Sequence, residues 1–325
     1  RERDSHLRRI RVGVVGIGFG QHVLVPAFRR DGRCEVTAIC ATSRERASRV
    51  AERLGIPAAY GGWEEMVAAP GIEAIAVAAP PSAQPGIAKE AIRRGKAVFC
   101  EKPMSISRED ALAMTEAAEA SGLPNMVDFE FPEIEAWRRA KALLDEGSAG
   151  ELLHVAVTWN VETRANRTGI RSWKTDLASG GGALYSFMSH SFHYLEWFVG
   201  PVDRVFAGLY RAPADARTGD TLDILALDTR AGIPVSLSVS SHAFPGTGHR
   251  VEFFGSRGAV VLDNPTADHA SGFRVSLGTR EAPRLRVVFG EPAESGSAED
   301  ARIGPVSRVA RRFLDAANAI KAGQL

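Results

Sequence analysis

Two rhythms of apolar residues divide the chain. Over the first third, short apolar runs alternate with segments of helical period. Residues 10–15, 35–40, 72–78, 97–100 and 126–129 read as strands. Residues 23–30, 43–54, 82–94 and 107–121 read as helices, with Ser43 placed as an N-cap and Gly95 and Gly122 as stops. Short strands separated by helices of roughly ten to fifteen residues indicate parallel βαβ units. The rhythm fits an α/β, doubly wound parallel sheet of six strands, five of them delimited above.

After about Pro124 the pattern changes. A helix at 134–146 leads to a long strand at 152–161, an irregular polar stretch and a helix at 182–198. Strand-like runs then follow at 202–210, 221–229, 234–241, 251–254, 260–263, 274–277 and 284–288, with few helices between them. That is the signature of a mainly antiparallel sheet in an α+β unit. Residues 292–304 are rich in Ser, Gly and Glu and are expected to form a mobile loop before a last helix at 305–322. The length of 325 residues suits two domains, placed at 1–124 and 125–325.

Composition excludes several function classes. The apolar share of 45% and charged share of 24% are ordinary for a globular protein. A net charge of +1 supplies no global field for nucleic acid or an acidic membrane. The four arginines in the first ten residues read as a frayed basic leader. No apolar run reaches the roughly 18 residues that span a bilayer, and glycines soon break the stretch that starts at Ile10, which argues against a secretory leader. Cys34, Cys40 and Cys100 show no CxxC and no metal spacing, so they read as reduced, buried thiols of a cytoplasmic protein without a metal. A reactive Cys100 is the alternative at that position.

The first chemistry-bearing segment is Val12-Gly-Val-Val-Gly-Ile-Gly-Phe-Gly-Gln21, which follows the first strand and opens the first helix. Gly16 permits a tight turn, Gly18 lets the backbone approach a pyrophosphate, and the helix N-terminus offers oriented N–H donors. Phe19, Gly20 and Gln21 complete the expected dinucleotide contact. The third position of G-x-G-x-x-G falls on Gln21, with Gly20 one step early, which weakens the helix–strand packing expected there. The second strand ends in Cys40-Ala-Thr-Ser-Arg-Glu45 and lacks the acid that usually reads an adenosine ribose. Thr42, Ser43 and Arg44 instead offer hydroxyl and guanidinium donors for a 2′-phosphate, a slight preference for NADP(H) over NAD(H).

Ala78-Ala-Pro-Pro-Ser82 and Gly95-Lys-Ala-Val-Phe-Cys-Glu-Lys-Pro103 both end strands at the carboxyl edge, where ligands bind in such sheets. A lysine held there beside a nicotinamide can exchange a proton with a substrate hydroxyl, and a cis peptide before Pro103 would fix Lys102. With these segments the chain resembles the glucose–fructose oxidoreductase, inositol dehydrogenase and rhizopine-catabolism (Gfo/Idh/MocA) family. The resemblance spans nearly the whole chain. It is carried by the Gly16 to Gly20 turn, by Ala79-Pro80-Pro81 before Gln84, by Gly95-Lys96 leading to Glu101-Lys102-Pro103, and by Gly180-Gly-Gly-Ala-Leu184 leading to His190. It implies a Rossmann domain followed by a domain on a large open sheet, NAD(P)(H) as cofactor, and sugars, inositols or nucleotide-linked sugars as substrates. It also implies homodimers or homotetramers assembled through that sheet, and adds Ala79, Pro80, Gln84 and Glu101 to the cofactor contacts.

Gly180-Gly-Gly-Ala-Leu-Tyr-Ser-Phe-Met-Ser-His190-Ser-Phe-His193 resembles the family pattern of glycines, Asp, His four residues later and Asp three further on. The spacing places Ser186, His190 and His193 on one helical face. His190 matches the family's catalytic histidine, while Ser186 and His193 replace the two acids. A hydroxyl cannot hold an imidazolium as a carboxylate can, so Lys102 is expected to carry more of the acid–base work. Tyr185 offers a phenolic proton as an alternative. Asn160, Trp173 and Lys174 provide hydrogen bonds and stacking for a sugar ring, the Trp-Lys pair matching a Trp-Arg pair near substrate in relatives. The expected activity is NAD(P)-dependent hydride transfer at a hydroxyl or keto carbon of a sugar, polyol or nucleotide-activated sugar, with Lys102 and His190 catalytic. The replaced acids leave open an inert cofactor-binding sensor or scaffold, or a redox-neutral sugar oxidoreductase or epimerase that retains its cofactor.

Overall fold

A computed structural model describes residues 9–213, 215–290 and 299–321, so the basic leader and most of the expected loop at 292–304 lie outside the described residues. The chain forms two compact units, Arg1–Glu130 with Arg302–Leu325, and Phe131–Ala301.

In the first unit β1 (Ile10–Val15) runs into a wide π-helical turn at Gly20–Leu24 and then α1 (Val25–Arg29). There follow β2 (Cys34–Cys40), α2 (Arg44–Leu54), β3 (Ala58–Tyr60), α3 (Trp63–Ala68) and β4 (Ala74–Val77). The unit continues with α4 (Gln84–Arg93), β5 (Ala97–Glu101), α5 (Arg108–Ser121) and β6 (Asn125–Asp128). Ser43 accepts from Arg46 N at the start of α2, and Gly55, at φ 60°, closes it in the left-handed region. All six strands are parallel, in the order β3-β2-β1-β4-β5-β6. The order reverses between β1 and β4, which opens a crevice at their carboxyl ends.

The C-terminal helix (Ile303–Lys321), expected in the second domain, belongs to the first unit. Its apolar stripe, Val306, Val309, Ala310, Phe313 and Leu314, joins the core of Val23, Phe28 and Phe99. The rings of Phe28, Phe99 and Phe313 meet edge to face at 5.2–6.3 Å. Helical period marks such a stripe as buried but does not say against which sheet. Phe313→Ala should lower the stability of the first unit by about 3–5 kcal/mol. Chemical denaturation followed at the tryptophan of α3 would read this, and an unchanged midpoint would remove the helix from the unit's core.

The second unit holds α6 (Glu135–Asp145), β7 (Leu152–Asn160), α7 (Arg164–Arg167), a π-helical turn at Leu184–Met188 and α8 (Ser189–Val199). Then come β8 (Val202–Tyr210), β9 (Leu222–Thr229), β10 (Pro234–Ser240) and β11 (Gly248–Gly255). The sheet is completed by β12 (Gly258–Asn264), β13 (Arg274–Thr279) and β14 (Arg286–Gly290). The eight strands are ordered β14-β13-β12-β11-β7-β10-β9-β8 and are antiparallel except for the parallel pair β7–β10. One face packs Val155, Val157, Trp159, Leu225, Leu227 and Phe253 against Trp137 of α6 and Tyr194 and Phe198 of α8. Among the described residues no helix is long and apolar enough to cross a membrane.

Candidate active site

Three strand ends of the first unit carry candidate residues. Gly16 follows β1 at φ 104°, and a Cβ there would lie 2.3 Å from the Ala78 carbonyl oxygen, so only glycine fits. Gly18 meets nothing within 4 Å, which leaves its backbone open to a ligand. Gly20 sits against Val14, where a Cβ would come within 3.0 Å of Cγ1. The close helix–strand contact is thus made one residue early, and the wide turn at Gly20–Leu24 absorbs the offset. The Gln21 amide braces the turn, donating to Ile17 O and accepting from Arg53. Phe19 lies 5.0 Å beneath the Arg302 guanidinium. This turn, with open space over Gly18 at the start of a helical segment, fits a dinucleotide pyrophosphate.

At the end of β2, Ser43 is the helix cap and Arg46 donates to Thr42 Oγ1 at 3.2 Å. Arg44 is 2.6 Å from Glu65 and donates to Ala59 O at 3.2 Å. A carboxylate therefore already occupies the guanidinium expected for a 2′-phosphate. Ala79 and Pro80 lie between β4 and α4 beside the glycine turn, Ala78 N donating to Val15 O at 2.8 Å.

Lys102 directly follows β5 and is joined to Pro103 by a cis peptide. Gln84 is fully buried, donating to Glu101 O at 2.9 Å and Pro103 O at 2.7 Å and accepting from Cys100 Sγ at 3.3 Å. It therefore holds the lysine loop instead of contacting a cofactor through its side chain. Cys100 is 2% exposed and burial pushes its thiol far up, which disfavours the alternative of a reactive thiol. Burial lowers the Lys102 pKa, opposed first by Glu130 and then by Glu101. Burial likewise raises Glu101 to about 7 and Asp128 well above the carboxylate range. Asp128, Glu130 and Arg302 thus shape the surroundings of Lys102, although no motif marked them. The available signal was a pair of acids at alternate positions of a strand end, Asp128-Phe-Glu130.

The second unit carries the other candidate residues. A Cβ on Gly181 would lie 2.3 Å from Trp173 O, and Gly182 N donates to Lys174 O at 3.0 Å. The glycine run therefore binds the Trp173–Lys174 segment to the start of the helix. Both side chains are exposed, with Lys174 Nζ 5.6 Å from the Trp173 ring. Asn160, at the end of β7, donates to Thr247 Oγ1 at 3.3 Å. Tyr185 and Ser186 fall in the π-helical turn and are half-buried, as is His193. That wide turn breaks the regular helical spacing on which the shared face of Ser186, His190 and His193 was predicted. His190 is 5% exposed, with its ring edge-on to Phe131 at 4.8 Å and 6.2 Å from Trp159.

Asp220 and Asp223 are a further carboxyl pair that the sequence reading passed over. Asp220 Oδ2 accepts from Leu184 N at 2.7 Å and so caps the helical segment that leads to His190. Asp223 occupies an inward position of β9, fully buried, and burial with its neighbour Asp220 raises it to about 8. The signal was an acid in phase with the core residues Leu225 and Leu227.

Residues 10–129 match the oxidoreductase family with an NAD-binding Rossmann fold, and residues 137–261 match the GFO/IDH/MocA C-terminal domain. The chain belongs to the Gfo/Idh/MocA family. An uncharacterized oxidoreductase of Synechocystis is 30% identical to this family member over 320 residues, covering 94% of this chain and 86% of that protein. The 3-ketoreductase from Actinomadura kijaniata, solved with NADP and TDP-benzene, has a TM-score of 0.80 at 24% identity, over 98% of this chain and 91% of that one. Levoglucosan dehydrogenase, solved with NADH, has a TM-score of 0.82 at 20% identity, over 97% and 91%. Both likenesses concern the fold. As a Gfo/Idh/MocA protein the chain is an NAD(P)-binding oxidoreductase.

Proposed function

We propose that this oxidoreductase transfers a hydride between nicotinamide and a hydroxyl or keto carbon of a sugar, polyol or nucleotide-activated sugar. The observation that carries the reading is Lys102. The residue follows β5, two strands from the Gly16 turn in the sheet order, a backbone spacing of about 10 Å. Bound nicotinamide supplies the hydride acceptor or donor. Burial brings the amine's pKa down from the ordinary lysine range, so the neutral form becomes available to accept a hydroxyl proton during oxidation. The ammonium form returns that proton during reduction. His190 is the second catalytic group, and Tyr185, Ser186, His193, Asn160, Trp173 and Lys174 bind substrate. Relatives crystallised with a TDP compound, and one that acts on levoglucosan, support the substrate class.

The purified protein should reduce NADP+ or NAD+ with at least one member of a panel of polyols, inositols and nucleotide sugars, followed by absorbance of the reduced nicotinamide. Silence across the panel in both directions, with dinucleotide bound, would sink the reading.

A slight preference for NADP(H) follows from the missing acid at the end of β2, and Glu65 restrains it by holding Arg44. Glu65→Gln should lower the KM for NADP+ about two- to five-fold and leave that for NAD+ unchanged, the scale of an exposed ion pair. An unchanged ratio of the two KM values would count against Arg44 as the phosphate ligand.

We further propose a homodimer or homotetramer through the uncovered face of the second sheet. Register places Phe206, Tyr210 and Ile224 on the face opposite Leu225 and Leu227, and Phe206 is 63% exposed. Phe206→Asp should convert the oligomer to monomer in light scattering, and a wild-type monomer would refute the assembly. The buried free thiols Cys34, Cys40 and Cys100 support a cytoplasmic location.

A further inference from the structure

Glu101 closes β5, Asp128 closes β6, and the two are register partners across the parallel pair. Register partners on adjacent strands point to the same face of a sheet, here the face that carries Phe99 and Met126 and packs on the C-terminal helix. Both side chains are buried, Glu101 at 9% and Asp128 at 1% exposure. Each carboxyl acts on the other at close range. Among the described residues no amide, hydroxyl or cationic donor reaches Glu101 Oε1 or either oxygen of Asp128.

A carboxyl–carboxyl hydrogen bond needs a proton, because two carboxylates are acceptors only. Burial and mutual repulsion both oppose a second charge, so the pair titrates as a unit. The charged groups that act on it are Lys102 after β5, Glu130 after β6, and Arg302 before the C-terminal helix. With one shared proton, the negative charges on the pair and Glu130 are balanced by the positive charges on Lys102 and Arg302.

We propose that Glu101 and Asp128 hold one proton between them and buffer a single negative charge beside Lys102, which makes Asp128 a positioning residue for the acid–base lysine. The lysine's role rests on the reading given above, whereas the charge sharing needs no substrate. When either carboxyl is neutralised, the other loses its repelling neighbour, gains an amide donor and ionises in its place. The charge beside Lys102 is then lost only when both are neutralised.

The test is the titration of Lys102 itself. Wild type, Glu101→Gln, Asp128→Asn and the double variant are labelled with trace acetic anhydride over a pH series, and acetylation at Lys102 is measured by peptide mass spectrometry. Each single variant should keep the Lys102 midpoint close to that of wild type, and the double variant should lower it by about one unit or more. Similar falls in both single variants, or no fall in the double, overturn the proposal.

Melting curves supply a second measurement that the single variants alone can decide. Above the ordinary carboxylate range the unfolded chain has released both protons while the folded pair keeps one. Wild type should therefore lose melting temperature as pH rises from about 5 to 8. Asp128→Asn should show a shallower loss, and an equally steep one overturns the shared proton. Neither measurement involves turnover, so a failure here is separate from a failure of the hydride-transfer reading.

Discussion

Lys102→Met should leave dinucleotide binding within a few-fold of wild type and lower kcat by about 10²–10⁴-fold, the scale of a lost general acid–base group. Methionine keeps the length and apolar stem of the lysine but carries no proton. The Gln84 amide still holds the carbonyls of Glu101 and Pro103, so the loop keeps its place. The dinucleotide turn lies on β1 and does not use this side chain. Fluorescence titration with reduced nicotinamide separates binding from turnover. A kcat unchanged in Lys102→Met would move the proton-handling role to the second unit, to His190 or Tyr185. The pH profile carries a sign as well. In the proposed role oxidation needs the neutral amine, so its kcat/KM should rise as pH climbs through the lowered lysine pKa, while that of reduction, which needs the ammonium, should fall over the same range.

Gly16→Ala is expected to damage both fold and binding. At φ 104° an alanine is strained, and its Cβ would sit 2.3 Å from a backbone oxygen of the neighbouring strand that cannot step aside. A loss of about 2–4 kcal/mol follows from that strain and the forced separation of β1 from the loop after β4. Dinucleotide binding should disappear with the turn. Gly18→Ala is the contrasting case. Its added methyl meets no protein atom within 4 Å, so stability should change by less than about 0.5 kcal/mol. The methyl would project into the space where the pyrophosphate approaches, and affinity should fall. Thermal melts and dinucleotide titrations on both variants check the pair. Equal stability losses at the two glycines would refute the distinction.

The first unit was legible because its signals are local. Ser43 caps α2 and Gly122 closes α5 at φ 62°, each by geometry confined to a few residues. β3 and α3 escaped delimitation because Ala58-Ala-Tyr60 is short and half-buried throughout, with no alternation to read. Gln84 carried a motif signal, but a motif does not say whether an amide faces a ligand or a loop. Its burial makes it a brace. In the segment that leads to His190 the expected shared face depended on a regular helix, and the π-helical turn at Leu184–Met188 removes that regularity. Asp128 and Asp223 looked like ordinary strand-end acids, since a sequence does not reveal what closes over a carboxyl.

Periodicity and turn glycines by themselves determined the doubly wound unit, the mainly antiparallel sheet and the glycine turn after the first strand, and the Glu-Lys-Pro segment singled out Lys102 as a candidate. Tertiary structure alone decided that the C-terminal helix packs under Phe28 and Phe99, that Arg44 meets Glu65, and that Glu101 meets Asp128. The reason is range. Backbone preference and hydrophobic period act within a few residues, whereas burial and charge pairing join groups distant in sequence.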